Sequence, residues 1–207
     1  MPFELGRPFG PPSDSAFQKR VILAALRLLE RATGPVVIAD FPEDDPRAEP
    51  DPAWRPPLPP SAPIGGSAAT LAAQLEVEIV KLQGAHRMWV AQHGRTTIGL
   101  SGLAIGEAAG YVADWLRGKA PPSPREGFSA ALTLRFAVDD VKAYCLEAAA
   151  AGAFSPSSRQ LGDWFWNEGA AGAAIFALRE VLQASEDERL RLIVGNFMLP
   201  AARMRAG

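Results

Sequence analysis

The stretch FSAALTLRFAVDDVKAYCLEAAAA, residues 128–151, is the clearest helical signal in the chain and sets its fold class. Leu132, Phe136, Val138, Val141, Tyr144, Cys145 and Ala148 recur at the spacing of a helix that buries one side, and Gly152 ends the run. Downstream, Ser157 and Gln160 form a capping box, with serine accepting a backbone donor and glutamine reaching back. It predicts one helix running through Asp163-Trp164-Phe165-Trp166-Asn167-Glu168 to about Ala184. A second box at Ser185 and Glu188 opens the last helix.

Upstream, Leu71, Leu75, Ile79, Leu82, Ala85 and Trp89 predict a helix from about Ala68 to Gln92, with Gly84 as its weak point. A shorter helix carries Tyr111, Val112, Trp115 and Leu116 and stops at Gly118. The first helix buries Phe17, Val21, Ala24, Ala25, Leu28 and Leu29 and closes at Gly34-Pro35. Short strands are expected at 36–39 and 96–100. The fold class that follows is mainly α, a helical bundle of about five to six helices with up to two short strands.

Between Pro42 and Pro63 nine of 22 residues are proline, which excludes helix and central strand because each proline removes a backbone donor. The stretch reads as a proline-rich surface arm or linker over 42–66. Residues 1–41 supply a helix and a strand, and 67–207 a helical domain that forms one folded unit with them.

The totals exclude several functions. At 207 residues and a net charge of −2, with Lys and Arg dispersed, the chain has no electrostatic footprint for nucleic acid. No run of apolar residues approaches a membrane span and the N-terminus has no signal-peptide core, so a cytoplasmic protein is expected. Cys145 is the single cysteine, which removes any intrachain disulfide or multi-thiolate site. No cofactor or metal site is expected. The abundance of Ala, Gly, Pro and Arg fits a GC-rich bacterial genome.

Side chains that carry chemistry are sparse. Asp140, Tyr144 and Glu147 share a helix face, and Glu147 could meet Glu168 of the following helix in a bundle core. Bundle metal sites pair such acids with histidine, however, and His86 and His93 both lie on an earlier helix. His93 suits a helix C-terminus, and Cys145 suits a buried, inert position. The glycines of 94–110 match no phosphate loop. Trp164, Phe165 and Trp166 cannot all face one way, so the run is a packing hub or an interface. The small residues of Gly169-Ala170-Ala171-Gly172 form a flat slot directly after it.

Three stretches, Glu4-Leu5-Gly6-Arg7-Pro8-Phe9-Gly10, Asp40-Phe41-Pro42-Glu43-Asp44 and Pro156-Ser157-Ser158-Arg159 leading into Asp163-Trp164-Phe165-Trp166, resemble uncharacterised bacterial proteins associated with glycine/betaine reductase selenoprotein-B-type systems. With no selenocysteine and no cysteine pair, the chain departs from the reductase itself. The resemblance implies an accessory role.

The function expected is a non-catalytic accessory or protein-interaction protein, binding a protein partner or a second copy of itself. Its candidate contact or pocket residues are Trp164, Phe165, Trp166, Tyr144, Glu147, Asp163 and Glu168. The alternative is a small-molecule or metal-binding helical-bundle enzyme that uses the Glu147 and Glu168 carboxylates.

Overall fold

The computed structural model describes residues 9–10, 14–30, 39, 41–43, 50–58, 64–154, 156–196 and 198–199. Among them the chain is mainly helical, with seven α-helices: α1 (Ser15–Arg27), α2 (Ala68–His93), α3 (Ile105–Leu116), α4 (Ala130–Ala149), α5 (Ser158–Asn167), α6 (Ala170–Gln183) and α7 (Glu188–Asn196). A 3-10 turn, Leu28–Glu30, follows α1. The chain divides into two compact units, Met1–Pro52 with Pro156–Gln160, and Ala53–Ser155 with Leu161–Gly207.

The boundary between the units near Pro52 falls within the 42–66 stretch expected as an arm or linker. The Gln160 side chain accepts from the Asp51 amide at 2.8 Å and donates to the Asp51 carbonyl at 2.9 Å, which assigns residue 51 to the first unit. Trp54 Nε1 donates to the Ala149 carbonyl at 3.1 Å, which assigns residue 54 to the second. The proline-rich stretch is thus partly tied down, and residues 50–58 carry neither helix nor strand. Its residues 44–49 and 59–63, and the strand expected at 36–39 except for residue 39, lie outside the described residues.

In the first unit, Asp14 caps α1 by accepting from the Phe17 amide at 2.9 Å. Phe17 and Val21 are buried while Leu29 is 81 % exposed, so the buried face is narrower than its apolar spacing predicts. Phe17 meets Phe41 edge-on, and Arg20 binds both Glu43 oxygens. Ser157 and Gln160 form the predicted capping box, each accepting the other's backbone N–H.

The second unit is a helical bundle. Its α2 packs against α3, α4 and α6, while α7 packs on α6 and α4. Leu71, Leu75, Ile79 and Leu82 of α2 are buried as predicted, and Gly84 does not interrupt the helix. Ser67 caps its start and Gly94, at φ +66°, its end. On α4, burial centres on Leu134, Ala137, Val138, Val141, Tyr144 and Cys145, with Leu132 and Phe136 at the rim.

The helix expected from Ser157 to Ala184 breaks at Glu168-Gly169 into α5 and α6. The cause is a close helix–helix approach that only glycine allows: a Cβ on Gly172 would lie 2.1 Å from the Phe165 carbonyl oxygen, and one on Gly169 would lie 2.7 Å from it. The flat slot is therefore filled by this chain's own α5 backbone.

Gly172→Ala is expected to force α5 away from α6 and cost about 2–4 kcal/mol by urea unfolding. Gly110→Ala, where nothing lies within 4 Å of the added carbon, should instead stabilise by about 0.5–1 kcal/mol. Equal stability of Gly172→Ala and the wild type would disprove the close approach.

Candidate functional site

The loop between α2 and α3 shows what the acids of α4 do. Residues 96–100, expected as a strand, form none, because their amides are taken by side chains and Gly99 sits at φ +120°. Five consecutive amides are satisfied in turn. Thr97 N donates to Glu147 at 2.7 Å, Ile98 N to Thr96 Oγ1 at 3.2 Å, Gly99 N and Leu100 N to Asp140 Oδ1 at 2.8 and 2.9 Å, and Ser101 N to Asp140 Oδ2 at 2.9 Å. The Thr96 and Thr97 hydroxyls also donate to Glu147, each at 2.7 Å, and the Ser101 hydroxyl to Asp140. One helical face thus laces an irregular loop along two turns of α4.

Glu147 also meets His86 of α2, with Nε2 and Oε2 2.9 Å apart. Burial pushes the Glu147 pKa up, but the bonds from Thr96, Thr97 and His86 outweigh it and hold the carboxyl below its ordinary value. A carboxylate so stabilised is a weak base, the reverse of what a general base at neutral pH requires. Beside it, the His86 ring packs 4.4 Å from Tyr144, whose hydroxyl donates to the Ile79 carbonyl at 3.0 Å. Burial raises the Tyr144 pKa and pushes the Cys145 thiol up further, leaving the thiol un-ionised and unreactive. Trp89 stacks between His86 and His93, and His93 lies 2.9 Å from the Trp89 carbonyl in the last turn of α2.

Glu168 is exposed and, among the described residues, no hydrogen bond or ion pair joins it to Glu147. The expected meeting of these two acids gives way to a different one, because Glu147 is turned to His86 and the loop. Nor do three His, Cys, Asp or Glu side chains gather into a metal-holding group among the described residues. A third acid, which sequence reasoning missed, is Glu78 of α2. It is buried and accepts from the Ala170 and Ala171 amides at 2.7 and 3.0 Å, capping α6 where Gly169 offers no side chain. Burial raises its pKa against those two bonds. No local pattern marks it, since its partners lie more than ninety residues away.

The aromatic run divides. Trp164 and Phe165 are buried in the bundle core, whereas Trp166 is half-buried, edge-on to Phe165 at 4.7 Å and to Phe176 at 5.4 Å. Asp163 is half-buried on the same helix. An open groove of about 360 Å³ lies along α3 beside Leu103, Glu107, Tyr111 and Asp114. Its acids are already engaged: Glu107 accepts the Ala104 amide at 2.9 Å, and Asp114 holds Lys119 at 2.8 Å.

One exposed face of the bundle is apolar. Ala73, Val77, Val80, Gly84, Met88 and Ala91 of α2 are all exposed and lie within roughly a quarter of the helix circumference. Val80 is 72 % exposed, Val77 51 % and Met88 46 %. Isolated exposed apolar residues are ordinary, whereas this stripe is continuous over roughly 27 Å.

Because the folded pKa of Glu147 is lowered, its contribution to stability is present above the ordinary glutamate range and lost as pH falls from there through the lowered, folded-state value. Glu147→Gln should therefore be less stable than wild type at pH 7, by about 1–3 kcal/mol, with the gap closing below about pH 4. Urea midpoints across that range measure it. A gap that does not change with pH would contradict the assigned hydrogen bonds.

The chain matches no protein-family model, no curated protein and no solved structure. What the molecule does is therefore carried by its own geometry.

Proposed function

We propose that the chain is a non-catalytic, cytoplasmic accessory protein that works by protein contact, and that the outward face of α2 is its contact surface. The single observation that carries this reading is the exposed apolar stripe from Ala73 to Ala91. The fate of the polar groups supports it. Glu78, Asp140 and Glu147 are spent on backbone amides, hydroxyls and His86, so the groups best suited to acid–base chemistry maintain the fold. With Trp164 inside the core, the aromatic run backs the fold more than it faces a partner, and Trp166 is the member nearest to solvent.

A protein partner suits this surface better than a nucleic acid or a membrane. The stripe is apolar rather than basic, and among the described residues no helix is long and apolar enough to cross a bilayer. An accessory role is also what the resemblance carried by 156–166 implies. Of the other two stretches of that resemblance, 4–10 lies mostly outside the described residues and 40–44 is described at 41–43.

A photo-crosslinking amino acid at position 80, expressed in cells, should yield one discrete higher-mass adduct. The same residue at position 119, exposed beyond the end of α3, should yield none. Failure to crosslink at position 80 would remove the carrying observation.

A further inference from the structure

The geometry points to a second copy of this chain as the occupant of the α2 stripe, in an antiparallel, two-fold symmetric helix pair. The inference rests on the contact-surface reading above and names its partner. A two-fold contact places the same patch on both subunits, so the patch must be complementary to itself.

The α2 stripe meets that demand about an axis near Leu82. Val80, its most exposed large side chain, falls opposite the partner's Gly84, where no atom lies within 4 Å of an added Cβ. Knob and slot are then exchanged reciprocally across the axis. Ala73 falls opposite the partner's Ala91, and Val77 beside the partner's Met88. Small residues at Ala73, Gly84 and Ala91 allow the two helices to approach closely, while Val77, Val80 and Met88 supply apolar area.

Charge placement agrees. Glu76 and Arg87 lie on one flank of the stripe, at nearly equal distances either side of the axis. In an antiparallel two-fold pair like flanks meet, so Glu76 faces the partner's Arg87 and the reverse. The Glu76 side chain stays 40 % exposed although Arg117 holds both its oxygens, at 2.6 and 3.3 Å, and the partner's Arg87 would join that pair. Arg87 makes no ion pair among the described residues, and only its field reaches Tyr144. On the opposite flank the two Lys81 side chains come side by side at the axis, where both are exposed and reach solvent. A parallel pairing would set Val80 against Val80 and lose the exchange of knob and slot.

Sedimentation velocity of the full chain over a wide concentration range, with circular dichroism as a check on folding, tests the proposal. Wild type should dimerise, and Val80→Glu should weaken the dimer by roughly 30-fold or more without loss of helix. As a test independent of that variant, Val80→Cys mixed with Gly84→Cys should form disulfide-linked pairs faster than either chain alone. The native Cys145 is fully buried and does not compete. A wild type that stays monomeric throughout, a Val80→Glu chain that dimerises unchanged, or mixed cysteine chains that link no faster than separate ones would each overturn the proposal. The position-80 crosslink separates the two levels of failure. An adduct with a different protein overturns the self-pairing and leaves the contact-surface reading standing, whereas no adduct overturns both.

Discussion

A loop without a strand ladder must find a partner for each backbone amide that turns toward the fold, and here two carboxylates on one helical face supply most of them. Asp140 and Glu147 stand seven residues apart on α4 and bind the amides and hydroxyls of residues 96–101. An unsatisfied amide or an unpaired buried carboxylate would each cost on the order of 1–3 kcal/mol or more, so the loop and the acids require one another. The chain leaves α2 at Gly94 and enters α3 at Ile105 through this laced segment, while Leu71, Leu75, Ile79 and Leu82 set which side of α2 faces the core.

Glu78 repeats the device at a second place. Its carboxylate caps α6, where Gly169 has no side chain to offer and must have none because Phe165 lies against it. A carboxylate at a helix N-terminus is favoured by both the free amides and the helix dipole. Three acids that could have composed a catalytic or metal site are thereby consumed as structural acceptors. Among the described residues, the outward side of α2 is an exposed apolar stripe.

The helices were legible because they rest on local signals. The burial of Leu71, Leu75, Ile79 and Leu82, the Ser157–Gln160 box and the glycine cap at Gly94 are all readable within a few residues. The break at Glu168-Gly169 was not legible, since it arises from contact with Phe165 and from a cap delivered by Glu78 ninety residues earlier. Thr96-Thr97-Ile98 has strand-like composition, but acids on a distant helix take its amides. At the candidate site the shared face of Asp140, Tyr144 and Glu147 was readable from spacing, whereas the partners of Glu147 were not. They come from His86, Thr96 and Thr97, fifty or more residues away, and Glu168 was the wrong neighbour to choose. The five tryptophans are buried or half-buried, whereas the stripe on α2 is exposed. It was hidden in the sequence because Ala, Gly and Val on a helix look the same whether they face the core or solvent.

The most direct test is native-state amide exchange, read residue by residue through the loop. The account predicts that Thr97, Gly99, Leu100 and Ser101 exchange as slowly as amides in the middle of α4, even though Thr97, Gly99 and Leu100 lie on the exposed surface. Exchange of these amides at the rate of an unstructured chain would contradict it.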